Sequence, residues 1–203
     1  MTASTDSDRL PPNGFAYRDP QEDDAAAILD LGRTLLLETD HYLRLPEERA
    51  GSVGDARALI RYFRDLPGAV MLHVWDEKEA RPVAEGVLTR GGLQRISHVG
   101  TIGIGVLKSY WGRGLGQALM ATLEDTARCN GIERLDFTVL AGNRRARDFY
   151  RRLGYREEGR RRRSVRFVAA DGLSARYEDE IAMAKWIGPE DGSGIVGQGR
   201  AKG

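Results

Sequence analysis

Tyr110-Trp111-Gly112-Arg113-Gly114-Leu115-Gly116-Gln117 constrains this chain more than any other stretch. The apolar run Thr101 to Leu107 leads into it. Leu115, Ala118, Leu119, Leu123 and Ala127 lead out at helical spacing, so the pattern predicts a strand, a tight turn and a helix from about Gly114 to Asn130. Glycines at 112, 114 and 116 let the backbone turn sharply and approach a ligand without Cβ clashes. A helix starting at such a turn presents unpaired N–H groups and the positive end of its dipole, an arrangement suited to a phosphate.

The elements on either side set the fold class. Gly14 to Arg18 reads as a short strand. Asp19-Pro20 opens a helix that carries Glu22, Asp23 and Asp24 in its first turn and runs to about Glu38. Glu38 to Arg44 breaks the helical rhythm and reads as an irregular link. Ser52, with Asp55 three residues on, predicts a capping box for a second helix that Pro67-Gly68 ends. Ala69 to Trp75 and Arg81 to Arg90 form a hairpin, and Leu93 to Leu107 one long strand. Arg134 to Leu140 is a strand, and Asn143 caps a short helix with Ala146, Phe149, Tyr150 and Leu153 on its inner face. Arg156 to Val168 and Ala175 to Trp186 close the chain, joined at Asp171-Gly172. The order βααβββαβαββ implies an α/β protein with a mixed sheet rather than a purely parallel one.

A chain of 203 residues, 41% hydrophobic and 30% charged, is long enough for one globular core without disulfides or metals. The expected organisation is a single domain over 14–187, with a disordered polar tail at 1–13 and a flexible Gly-rich tail at 188–203. The lone Cys129 has no internal disulfide partner, which suggests a reducing compartment. No apolar run reaches the roughly 20 residues of a membrane span, and the first residues do not resemble a secretory signal. A cytoplasmic protein with no membrane partner is the expectation. The net charge of +1 hides an asymmetry: 12 Asp/Glu against 5 Arg in residues 1–55, and 11 Arg against 3 Asp/Glu in residues 144–166. The second region predicts a positive face or a solvated surface.

Val106-Leu107-Lys108-x-Tyr110-Trp111-Gly112-Arg113-Gly114-Leu115-Gly116, followed by Asn143-x-x-Ala146-x-x-Phe149-Tyr150-x-x-Leu153-Gly154-Tyr155, resembles the GCN5-related N-acetyltransferase superfamily. The resemblance spans roughly Phe15 to Ile187 in element order. It implies an acetyl-CoA-dependent enzyme whose long strand splays away from the Arg134–Leu140 strand to admit the pantetheine. The Tyr-Trp-Gly-Arg-Gly form is similar to the branch of ribosomal-protein N-terminal, spermidine and amino-acid acetyltransferases. One departure stands out, since Trp111 occupies a position where Gln or Arg is common. Backbone amides would then carry the phosphate.

On that resemblance the pyrophosphate falls to the N–H groups of Arg113, Gly114, Gly116 and Gln117, with Ala118 as a further candidate. Val106 and Leu107 would meet the pantetheine through their backbone, although plain sheet core is the alternative reading of both. Asn143 caps its helix and is expected to touch the cofactor. Tyr150 is the candidate general acid for the leaving thiolate, against core packing as its plain alternative. No Asp or Glu lies between Gln94 and Leu107, so His98 is the candidate base, with Glu38, Glu85 or a water chain behind it. Glu38, Tyr42 and Arg95 are assigned to the acceptor, with Asp40 and Arg44 nearby, and this set favours a small zwitterion such as an amino acid. A protein N-terminus or a polyamine is the alternative acceptor. A ribosome- or RNA-associated module using Arg160 to Arg163 is the alternative of another class, disfavoured by the scarcity of interleaved aromatics. The Arg run also offers a partner for the CoA 3′-phosphate. No metal is expected, and a homodimer is compatible with this reading.

Overall fold

Residues 10–49, 51–169 and 172–189 are described by the computed structural model. Seven strands form one sheet in the order β1-β2-β3-β4-β5-β7-β6. They are β1 (Phe15–Arg18), β2 (Val70–Asp76), β3 (Arg81–Arg90), β4 (Val99–Val106), β5 (Arg134–Leu140), β6 (Arg156–Val168) and β7 (Ala175–Trp186). Every neighbouring pair is antiparallel except β4 and β5, which are joined through a helix. The expected mixed α/β architecture is the one observed.

Four helices cover the sheet: α1 (Ala25–Leu37), α2 (Val53–Asp65), α3 (Leu115–Cys129) and α4 (Arg144–Arg152). The predicted capping box starts α2, with Ser52 Oγ accepting from the Asp55 amide at 3.1 Å and Asp55 accepting from the Ser52 amide at 2.9 Å. The acidic turn Glu22–Asp24 is a short 3-10 segment that leads into α1. On one face α1 and α2 pack through Ala25, Ile28, Ala56 and Ile60. On the other, Leu115, Leu119 and Leu123 of α3 are fully buried against β3 and β4. Burying each contributes up to about 1.5–3 kcal/mol. Gly86 lets α3 come this close, since a Cβ there would lie 2.7 Å from Leu123 Cδ1.

The long strand expected over Leu93 to Leu107 is shorter. Gln94–Ile96 forms a 3-10 turn and β4 begins at Val99. Ser97 Oγ donates to the Gln94 carbonyl, and Arg90 Nε donates to the Ser97 carbonyl, closing the turn before the strand starts. The closing hairpin has its expected bounds, and Gly172 takes the left-handed conformation (φ 69°). Asp171 of that turn, most of the N-terminal tail and residues 190–203 of the C-terminal tail lie outside the described residues. No described helix is long and apolar enough to cross a membrane.

His73 on β2 is fully buried, and neither ring nitrogen has a hydrogen-bond partner among the described residues. Burial holds its pKa below the usual imidazole value. The folded state therefore keeps His73 neutral, while the unfolded chain takes up a proton below about pH 6.5. Stability from this residue is present above that pH and is lost as the pH falls, with a slope of up to about 1.4 kcal/mol per pH unit. His73→Leu should flatten the acid limb of urea-unfolding stability measured from neutral to mildly acidic pH. An unchanged slope would locate the acid sensitivity elsewhere.

Candidate active site

The parallel pairing of β4 with β5 covers only Val99–Thr101 against Arg134–Asp136. Beyond it β4 stays with β3 up to Val106, and β5 stays with β7 up to Leu140. The two central strands thus part, leaving a wedge between them. The Leu107 amide bonds the Val83 carbonyl at 3.1 Å and the Gly91 amide bonds the Val99 carbonyl at 2.9 Å. Antiparallel alternation then turns the backbone groups of Ile102, Ile104 and Val106 towards β5, into the wedge. Trp111 Nε1 donates to the Val106 carbonyl at 2.7 Å, leaving the Val106 N–H facing the opening. Leu107 differs from its expected role: its amide bonds Val83, its carbonyl bonds the Tyr110 amide at 2.9 Å, and its side chain is buried core. Its amide is therefore taken by the sheet, and its side chain packs in the core.

The glycine turn ends at the mouth of this wedge. Gly112 (φ 78°) and Gly114 (φ 82°) are left-handed, and Gly114 caps α3 without any side-chain hydrogen bond. The N–H groups of Arg113, Gly114, Gly116 and Gln117 have no partner among the described residues. Ala118 is the exception within the expected set, because its amide bonds the Gly114 carbonyl at 3.1 Å and belongs to the helix ladder. Phe149 of α4 sits where a Cβ on Gly116 would approach to 3.4 Å. Arg145 stacks 4.1 Å from the Trp111 ring centre, with Lys108 Nζ at 6.0 Å, so cations ring the mouth. Gly114→Ala forces a left-handed alanine, at a cost of about 1–2 kcal/mol. The variant should show both a lower melting midpoint and weaker acetyl-CoA binding by calorimetry.

Two tyrosines reach the wedge from opposite faces. Tyr150 on α4 packs its ring 4.4 Å from Phe137 of β5, and burial raises its pKa well above the phenol range. Asn143 Oδ1 accepts from the Ala146 amide at 3.1 Å, capping the same helix. Tyr42, from the irregular link, comes from the α1 side. Burial, and then the charge of Glu85, raise its pKa strongly, so both hydroxyls stay protonated.

A cleft of about 290 Å³ opens on that side, lined by Leu35, Leu36, Tyr42, Arg44, Arg49 and Glu85 among others. Its floor is an ion pair in which Arg49 donates to both oxygens of Glu85, at 3.1 and 2.7 Å, with side chains only 13% and 16% exposed. Gly32 of α1 makes room for the Arg49 guanidinium, which occupies the place of its missing side chain. Glu38 lies beside the cleft and accepts from the Lys108 amide at 2.8 Å, tying the end of α1 to the turn after β4. Arg49 escaped sequence reasoning, because it sits in an irregular link 36 positions from its partner.

His98 and Arg95 are not at this site. The early turn places them before β4, and eight residues of strand at about 3.3 Å each separate His98 from Val106. His98 instead packs against Trp186, and its carbonyl accepts from the Glu133 and Arg134 amides. Neither residue lines the cleft beside the parted strands.

The model of the acetyltransferase (GNAT) family matches residues 36–155, more than half of the chain. This chain is a GNAT-family acetyltransferase. Solved structures share its fold. A GNAT acetyltransferase from Streptococcus pneumoniae superposes with a TM-score of 0.75 at 23% identity, covering 85% of this chain and 99% of the other. The yncA protein of Salmonella typhimurium, solved with its cofactor acetyl-CoA, gives 0.74 at 18% identity, covering 91% and 100%. A phosphinothricin acetyltransferase from Sinorhizobium meliloti in complex with acetyl-CoA gives 0.72 at 15% identity, covering 86% and 89%. No curated protein sequence matches the chain. Acetyl-CoA is the family's co-substrate, and the residues here fit it. The open amides at the start of α3 suit a pyrophosphate, the wedge edge of β4 suits a thin amide-bearing arm, and Gly116 leaves the close approach that a larger residue would fill.

Proposed function

We propose that this GNAT acetyltransferase transfers acetyl from acetyl-CoA to the primary amine of a small molecule, an amino acid or similar zwitterion, with both substrates bound together. The observation that supports this most is the 290 Å³ cleft, whose wall includes Gly103 and Ile104 of the splayed strand. Leu35, Leu36, Leu43 and Val87 suit an apolar body, Arg44 a carboxylate, and Glu85 an ammonium group. The acceptor is therefore read from this cleft, without the expected contribution of Arg95.

Acetyl-CoA supplies an acetyl group on a thioester whose thiol is the leaving group. The N–H groups of Arg113, Gly114, Gly116 and Gln117 would hold its pyrophosphate, with the Asn143 side chain nearby. The Val106 N–H would polarise the thioester carbonyl from the edge of β4. Tyr150, kept protonated by burial, would give its proton to the departing sulfur. Holding amine and thioester side by side contributes much of the acceleration by itself. With His98 at the far end of β4, Glu85 is the carboxylate that faces the amine.

The test is thiol release from acetyl-CoA with L-leucine, spermidine and an alanyl peptide as acceptors. L-leucine should turn over with the highest kcat/KM. A faster peptide or polyamine would replace the acceptor class, and no release with any amine would contradict the proposal. The RNA-module reading gains nothing from the fold, since Arg160 is ion-paired with Asp179 at 2.6 Å and the Arg163 amide bonds the same carboxylate at 2.7 Å.

A further inference from the structure

We propose that Tyr42 is a catalytic residue that relays the acceptor's proton from the amine to Glu85, with Arg49 holding that carboxylate in position. The inference rests on the acetyl-transfer reading above and gives the proton a route through the same cleft.

The register carries it. Glu85 of β3 lies directly opposite Gly105 of β4. Side chains at such a pair stand about 5 Å apart on one face of a sheet. Gly105 has none, and a Cβ built there would meet Tyr42 Oη at 2.7 Å. The phenol therefore fills the place beside Glu85 that a side chain at 105 would take. It also stands one residue before Val106, whose N–H faces the wedge. No described residue hydrogen-bonds this hydroxyl, so it is free to meet the amine. Arg49 takes one lone pair from each Glu85 oxygen and leaves the others available. The titratable or charged groups acting on Tyr42 are Glu85, Tyr150, Arg49 and Glu38. Those facing Glu85 are Arg49 and, 3.9 Å away, His73. Because Tyr42 stays protonated, a standing phenolate is not the base. The hydroxyl instead accepts one proton while passing its own onward.

The step balances as follows. The acceptor ammonium gives one N–H proton to Tyr42 Oη as the Tyr42 O–H proton moves to Glu85, which becomes a carboxylic acid. The neutral amine forms the N–C bond, the C–S bond breaks, and the sulfur takes a proton from Tyr150. Tyr150 recovers a proton from the second N–H of the product nitrogen. Glu85 returns its proton to solvent through the cleft.

Tyr42→Phe removes the relay without changing ring volume. Turnover should fall about 30-fold or more, while acetyl-CoA affinity by calorimetry and the melting midpoint stay near wild type. The activity is read with whichever of L-leucine, spermidine or the alanyl peptide releases thiol fastest. A second readout accompanies it, the double-mutant cycle of Tyr42 with Glu85. Glu85→Gln removes the relay's proton acceptor, so turnover should fall about as far as in Tyr42→Phe, and the two changes together should cost little more than either alone. Where Glu85→Gln fails to fold because Arg49 is left unpaired, Glu85→Gln with Arg49→Met removes both charges together and should give the same loss of turnover and the same non-additivity with Tyr42→Phe. Turnover of Tyr42→Phe within about threefold of wild type across the pH range, or additive losses in the Tyr42–Glu85 cycle, would overturn the relay. Calorimetric binding of acetyl-CoA in those variants keeps this outcome separate from a failure of the acetyltransferase reading.

Discussion

Tyr150→Phe should bind acetyl-CoA as wild type does and lose turnover by about 100-fold or more. The ring is held by Phe137, Phe149 and Tyr155, and the variant keeps all of those contacts. What it loses is the hydroxyl proposed to protonate the leaving sulfur. On the proposed mechanism the leaving thiolate takes the hydroxyl proton, and burial keeps the phenol protonated and neutral at any working pH. Single-turnover thiol release against calorimetric affinity separates the two effects. Equal losses in turnover and affinity would make Tyr150 a packing residue.

Gly105→Val should lower both stability and turnover. Strand propensity alone favours valine there. The structure argues the opposite, since a Cβ at 105 would lie 2.7 Å from Tyr42 Oη and 2.8 Å from Leu35 Cδ1. Overpacking of this kind costs about 1–3 kcal/mol. The easier adjustment expels Tyr42 from the cleft, so turnover should fall at least as far as in Tyr42→Phe while the melting midpoint drops by several degrees. Urea unfolding and thiol release on the same preparation check both parts. Wild-type turnover in Gly105→Val would mean that the Tyr42 hydroxyl does not act at this position.

The parts of this fold that were legible in sequence are those set by neighbouring residues. Ser52 and Asp55 signal their capping box within four positions, and the glycine turn signals α3 because left-handed backbone at 112 and 114 needs glycine. The failure over Leu93 to Val99 has a tertiary cause. Arg90 and Ser97 close a 3-10 turn across seven residues, which an apolar alternation through Ile96 and His98 cannot reveal. Because β4 starts only at Val99, His98 and Arg95 stand before it, away from the cleft. Tyr42 and Glu85 were visible as residues suited to the chemistry. Their juxtaposition was not, because it depends on Gly105 standing opposite Glu85 across two strands. Arg49 gave no signal at all, lying in an irregular link and finding its partner only through the sheet.

The most direct measurement is a calorimetric titration of the full chain with acetyl-CoA. The wedge between β4 and β5 and the open amides before α3 predict saturable binding with a Kd in the micromolar range, about −8 kcal/mol. Gly114→Ala should weaken it, and Tyr42→Phe should leave it unchanged. No detectable binding at millimolar acetyl-CoA would contradict the account.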